Sequence, residues 1–190
     1  ASSAASDVYK RQYMASLIDC LIEDLTNEND GYEKLLSLSN EKTSAIVSGN
    51  IEKLQEIFTR EQKLIEEVDV YEKKRQEDVK DICNVLRLPY EEIKVEHIVQ
   101  ILEKKAKEHD ALQNIYLKLK RTLSQLTAVN ENNKLMLKES MDMIQFELDL
   151  ARNSVLKPQT GNYGRTAYEE QEITGATAVS YTHLTLPTKL

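Results

Sequence analysis

The chain has 190 residues, with 25 Lys+Arg against 32 Asp+Glu, a formal net charge of −7, and 41% hydrophobic residues. Its apolar runs are far shorter than the ~20 residues that a membrane-spanning helix needs, and its acidic balance excludes the clustered positive charge of a nucleic-acid-binding domain. With only 5 Gly, 3 Pro and no Trp, it is too poor in turn residues for an all-β fold, and the Leu, Ile, Glu, Lys and Gln that dominate favour long helices. The expected class is all-α: an antiparallel hairpin of long helices plus a long third helix, in an elongated coiled-coil-like bundle.

The two ends differ in style from what lies between. Residues 1–12 and 178–190 show no helical periodicity. Asp7–Gln12 back-translates to GAT GTG TAT AAG AGA CAG, and Val179–Leu184 to GTC TCT TAT ACA CAT CT. These strings are near reverse complements and resemble a transposon adapter used in sequencing libraries. Both ends therefore read as adapter-derived scars, the alternative being natural disordered tails. On the scar reading Met14 is the start, and 13–157 is the helical domain. The scars hold Lys10, Arg11, Lys189 and Asp7, so residues 13–177 keep 25 − 3 = 22 basic and 32 − 1 = 31 acidic residues, a net charge of −9. Met14-Ala-Ser-Leu-Ile-Asp lacks the basic start and apolar core of a secretory signal. Cys20 and Cys83 have no metal-ligand spacing and suit a reducing cytoplasm.

Helix one is expected over about 15–48. Leu17, Leu21, Leu25, Glu28, Tyr32, Leu35, Ser39, Lys42 and Ile46 recur at steps of three and four, which is one helical face. Gly31 lies inside this pattern at a cost of ~1 kcal/mol against Ala, which predicts a kink or fray near Asn29–Gly31. Gly49 is a natural left-handed stop, and Asn50 can cap helix two. Helix two is expected over 51–86, along Ile51, Leu54, Phe58, Glu61, Leu64 or Ile65, Val68, Tyr71, Arg75, Val79, Ile82 and Leu86. The short link forces helices one and two antiparallel. Pro89 ends helix two and pushes Leu88 out of helical backbone. Helix three is expected over 95–156, with its stripe at Ile98, Leu102, Leu112, Tyr116, Leu119, Leu123, Leu126, Asn130, Asn133, Leu137 and Ile144. The charged run 103–110 invites a bend there. Residues 158–177 read as a flexible tail.

Catalytic and cofactor patterns are missing. There is no glycine-rich phosphate loop. His97 and His109, twelve residues apart on one helix, point about 120° away from each other. Cys20 and Cys83 read as buried thiols, because packed helices hold their Cα atoms too far apart for a disulfide. No enzyme, cofactor or metal is expected. Glu28, Glu61 and Arg75 interrupt apolar stripes; they read as polar pairs that set helix register, and hairpin geometry pairs Glu28 with Arg75.

The last helix stands apart. With Leu137 as angular zero at 100° per residue, Leu137, Met141, Ile144, Leu148, Ala151 and Val155 fall within about 40° on a first face. Leu135, Met136, Met143, Phe146 and Leu150 form a second face at about 160° to 260°. Lys134, Lys138, Gln145, Asp149 and Arg152 separate them on one flank. A helix at the edge of a small bundle uses one face for its own core, so the second needs another cover. Apart from Met14, the methionines are all here, at 136, 141 and 143, and flexible Met suits surfaces that repack against partners. A bound client helix, a homodimer seam and a core helix wrapped on all sides each satisfy the periodicity.

Leu17-Ile-Asp-Cys-Leu followed by Glu28-x-x-x-Tyr32-x-x-Leu35-Leu36 resembles the start of the FlgN family of flagellar export chaperones. Lys42 to Val47 with Gly49-Asn50-Ile51-x-x-Leu54 resembles its first hairpin, and Glu61-Gln62-x-Leu64-Ile65 with Arg75 its second helix. Asn130, Asn133, Met136 and Leu137, with Ser140 and Phe146 following, resemble its last helix, and Tyr163-Gly164 the pair after it. The resemblance covers roughly 15–165; Arg165-Thr-Ala departs from the family ending. It implies a cytoplasmic chaperone that works without ATP. Such a chaperone holds the C-terminal helical region of two hook-associated (hook–filament junction) proteins, prevents premature assembly and delivers them to the export gate. It implies client contacts at Leu135, Met136, Met143, Phe146 and Leu150, with Asn133 and Glu139 at the rim, and an export-gate contact at Tyr163. The alternative is a structural homodimeric coiled coil.

Overall fold

The computed structural model describes residues 2–90, 93–102 and 107–155. Four helices follow one another: α1 (Ser2–Val47), α2 (Ile51–Leu86), α3 (Val95–Ile101) and α4 (Lys107–Val155). No strand occurs among the described residues, so the all-α expectation holds. No helix among the described residues is long and apolar enough to cross a membrane. Among the described residues, those up to Met136 form one compact unit and those from Leu137 to Val155 belong to a second. The expected tail at 158–177 and the adapter-like segment 178–190 lie outside the described residues.

Within the first unit, the α1–α2 link is built as its residue types require. Gly49 takes φ +63°, and the Gly49 and Asn50 amides donate to the carbonyls of Ile46 and Ala45. Asn50 Oδ1 accepts the Lys53 amide at 2.9 Å, satisfying one of the orphan donors of the α2 N-terminus. Leu38, Ala45 and Ile57 form a buried cluster close to this turn, with Leu54 and Leu64 packed on it. At its far end α2 closes on Arg87, which adopts left-handed backbone at φ 56°. The Leu88 amide reaches the Cys83 carbonyl at 2.9 Å, a helix-ending bond ordinarily completed by glycine.

Two buried ion pairs cross the hairpin at matching levels. Arg75 Nε donates to Glu28 Oε2 at 2.8 Å, and Lys42 Nζ donates to Glu61 Oε1 at 2.6 Å. Lys42 follows Glu28 by 42 − 28 = 14 residues, and Glu61 precedes Arg75 by 75 − 61 = 14, so two heptads of antiparallel helix separate the pairs. A one-residue slip would bury all four charges without partners, which is the physical sense in which such pairs hold a register. Lys42 also lies over the Phe58 ring, 5.1 Å from its centroid. Phe58 is accordingly half-buried, and Ile57 takes the fully buried position.

α4 runs parallel to α1, since their hydrogen-bonded partners advance together along both helices. Thr122 Oγ1 donates to Asn29 Oδ1 at 3.0 Å, Ser39 Oγ to Asn130 Oδ1 at 2.9 Å, and Thr43 Oγ1 to Asn133 Oδ1 at 2.6 Å. Asn133 Nδ2 in turn donates to the Ser39 carbonyl at 2.8 Å. Leu112, Tyr116, Leu119, Leu123 and Leu126 supply the buried apolar positions of α4.

Four expectations are corrected. α1 begins at Ser2 rather than near residue 15; neither Gly nor Pro occurs between there and Gly31, and Ala4, Ala5, Lys10, Arg11, Gln12 and Met14 favour continuing the helix. α1 runs unbroken through Gly31, because that glycine is buried and a Cβ there would stand 2.5 Å from Val68 Cγ2; it is a close helix approach, not a kink. The expected helix 95–156 is two helices, divided beside the charged run where a break or bend was expected: α3 stops at Ile101 and Leu102 takes extended backbone at ψ 133°. Finally, Cys83 is buried but Cys20 is exposed, and both are free thiols; Cys20 sits about 100° round the helix from Leu21, off the buried stripe.

Candidate functional site

From Lys138 to Asn153 every residue of α4 is exposed. Helix continues there on local propensity, since Leu, Met, Glu, Lys, Gln and Arg are good helix formers and neither Gly nor Pro occurs. The stretch nevertheless carries core-type side chains. Leu135, Met141, Met143, Ile144, Phe146, Leu148 and Leu150 are between 48% and 64% exposed, a concentration of exposed apolar surface that makes this segment the candidate site.

The predicted contact residues divide by environment. Leu135, Met143, Phe146 and Leu150 are exposed on the second face, as is Glu139, and Met136 is half-buried. Asn133 is buried, with its amide engaged by Thr43 and Ser39. Tyr163 lies outside the described residues. Sequence reasoning reserved the first face for the chain's own core, yet Met141, Ile144 and Leu148 are exposed. A signal for this was present. The α4 stripe alternates steps of four and three from Leu112 to Leu137, and then takes a second step of four to Met141. Such a stutter shifts the seam and locally unwinds a coiled coil. It falls where the first compact unit ends, at Met136.

The hairpin also holds carboxyl groups whose protonation is shifted by burial. Glu28 is fully buried and its Oε1 has no hydrogen-bond partner. Burial therefore outweighs the attraction of Arg75 and lifts the carboxyl to about 7. Asp78 is raised to about 6, first by burial and then by the neighbouring Asp24 carboxylate, with Asp81 and Glu77 adding to it. His97 Nδ1 accepts the Lys94 amide at the start of α3, and His109 Nδ1 lies 3.0 Å from Asp110 Oδ1. Among the described residues, no group of three or more His, Cys, Asp and Glu side chains is placed to hold a metal ion.

Comparison with known proteins matches the sequence to a family. The family model described as FlgN protein matches residues 14–171. The Bacillus subtilis (strain 168) protein YvyG, itself uncharacterized, is 29% identical over 150 residues, covering 79% of this chain and 88% of that protein. No solved structure gives a significant match.

Proposed function

The chain belongs to the FlgN family of flagellar export chaperones, and from that premise we propose that α4 holds the C-terminal helical region of hook-associated junction proteins until export. The observation that carries this reading is the second face of α4, which leaves Leu135, Met143, Phe146 and Leu150 exposed. A junction-protein end that assembles through apolar helical surface would self-assemble early if left bare. Laying that surface against α4, through anchors spaced three and four apart, blocks the assembly. Met136 and Met143 adapt to more than one client. Glu139 stands on the same face and selects a donor on the client helix. Asn133, engaged with Ser39 and Thr43, anchors α4 beside the contact surface. Tyr163 is the proposed export-gate contact, and the cytoplasm the proposed compartment.

The test is titration calorimetry of the full chain against C-terminal fragments of the two junction proteins, beside a variant carrying Met143→Asp and Phe146→Asp. Both side chains are exposed, so the variant's stability should stay within ~0.5 kcal/mol of the parent for each change. Saturable binding that the variant loses supports the reading. Absence of heat with either fragment, together with a dimeric mass that the variant makes monomeric, refutes it in favour of self-association.

A further inference from the structure

Glu139 stands in the middle of an apolar surface. The second face of α4 is centred about 210° round the helix from Leu137, and Glu139 lies about 10° from that centre. The residues three and four positions away on either side are Leu135, Met136, Asp142 and Met143, so its own helix brings it no cation. The rest of the face has the same sign. Within about 80° of its centre, the ionisable residues of 137–153 are Glu139, Asp142 and Glu147, all acidic. Lys138 stands about 110° away and Arg152 about 150°. The hairpin shows how this chain treats a glutamate inside a covered apolar stripe. Glu28 and Glu61 are both buried, and each meets a cation brought by the facing helix, Arg75 at 2.8 Å and Lys42 at 2.6 Å.

We propose that the client helix seated on the second face carries a Lys or Arg inside its own apolar stripe, and that this cation pairs with the Glu139 carboxylate. The inference rests on the client reading above and deepens it, giving the client its chemistry and its register. A helix laid over Met143 and Phe146 also takes Glu139 out of water. Opposite an apolar side chain the carboxylate would be covered without a partner, and opposite an acidic one it would be repelled. Either loss acts against a wrong helix, and a cation removes it. The pair also fixes register, because Met143, Phe146 and Leu150 follow Glu139 over ~16 Å of helix. The client's cation therefore lies toward one end of its apolar stripe, with about three turns of apolar contact beyond it. A second copy of the chain does not supply that cation. Pairing two second faces sets Glu139, Asp142 and Glu147 against their own counterparts, with no Lys or Arg inside either stripe.

The test measures affinity by titration calorimetry between the full chain and the C-terminal fragments of the two junction proteins. Glu139 is exposed, so its substitution leaves the fold intact. Glu139→Lys should bind at least about tenfold more weakly, and Glu139→Gln severalfold more weakly. Each Lys and Arg of a client fragment is then changed singly to Glu. One such change should weaken binding to the parent chain and restore binding to the Glu139→Lys variant, and it should fall inside an apolar stripe of the client. Parent-like binding by Glu139→Lys, tighter binding by Glu139→Leu, or failure of every client change to restore the variant overturns the inference. So does a dimer formed on mixing the parent with the Glu139→Lys variant, in which Glu139 faces a second copy. The client reading survives any of these where Met143→Asp with Phe146→Asp abolishes binding. Absence of heat between the parent chain and either fragment overturns both.

Discussion

Replacing Gly31 by Ala separates the propensity of a helix from its packing. On an exposed helical surface this change stabilises a protein by ~0.5–1 kcal/mol, through backbone entropy. Here the added methyl would stand 2.5 Å from Val68 Cγ2, well inside the ~3.5–4.0 Å of an ordinary carbon–carbon contact. Val68 is buried at 3% exposure, and its branched side chain has one strongly preferred rotamer in a helix, so it cannot turn aside. Overpacking by one methylene-sized group costs ~1–3 kcal/mol, and a deep overlap on a stiff neighbour belongs in the upper half of that range. Subtracting the propensity gain leaves a net loss of about 1–2 kcal/mol, or several degrees in melting temperature for a unit of this size. Circular dichroism during urea and thermal unfolding measures it. Shortening the neighbour with Val68→Ala makes room for the methyl, so Gly31→Ala should be harmless in that background and a double-mutant cycle should give a coupling of ~1–3 kcal/mol. A Gly31→Ala protein more stable than the parent, with no coupling to Val68, would refute the close approach and restore the expectation of a helix weakened by its glycine.

Other outcomes follow from the same geometry. Lys42→Ala strands the Glu61 carboxylate at a nearly buried site and should cost ~3–5 kcal/mol, whereas Lys42→Met with Glu61→Leu should be close to neutral; denaturation midpoints decide. Arg87→Gly relieves a side chain of left-handed backbone at φ 56° and should raise stability by about 1 kcal/mol in the same assay. Glu28 and Asp78, lifted to about 7 and about 6, bind protons more tightly folded than unfolded. Their contribution is therefore complete below the ordinary carboxylate range and is lost as pH rises through about 6 to 7. Thermal melts should show higher stability at pH 5 than at pH 8, and Glu28→Gln with Asp78→Asn should flatten that difference.

Much of the hairpin was legible in the residues. Gly49, Asn50 and Pro89 act through the conformations of their own backbone and side chains, so α2 lies where they bound it. Glu28 and Arg75 stood out because a charge inside an apolar stripe needs a partner, and equal distances from a short link identify one. Lys42 and Glu61 carried the same signal, since both interrupt stripes, yet their pairing emerged only from the packed helices. The second face of α4 was visible as well, because a helix with apolar side chains on opposite sides cannot bury both against one neighbour.

Other features depended on distances between helices, which no periodicity contains. Gly31 looks the same in sequence whether it frays a helix or admits a neighbour; the position of Val68 decides between them. Asn130 and Asn133 occupy core positions of the α4 stripe, and only the parallel placement of α1 brings Ser39 and Thr43 to satisfy them. The exposure of Met141, Ile144 and Leu148 is likewise a tertiary fact. Their spacing marks them as a face, and whether a face is core or interface depends on what another helix brings against it. Local chemistry determined where the chain is helical and which side chains share a side. Packing decided which of those sides the chain covers for itself and which it leaves exposed.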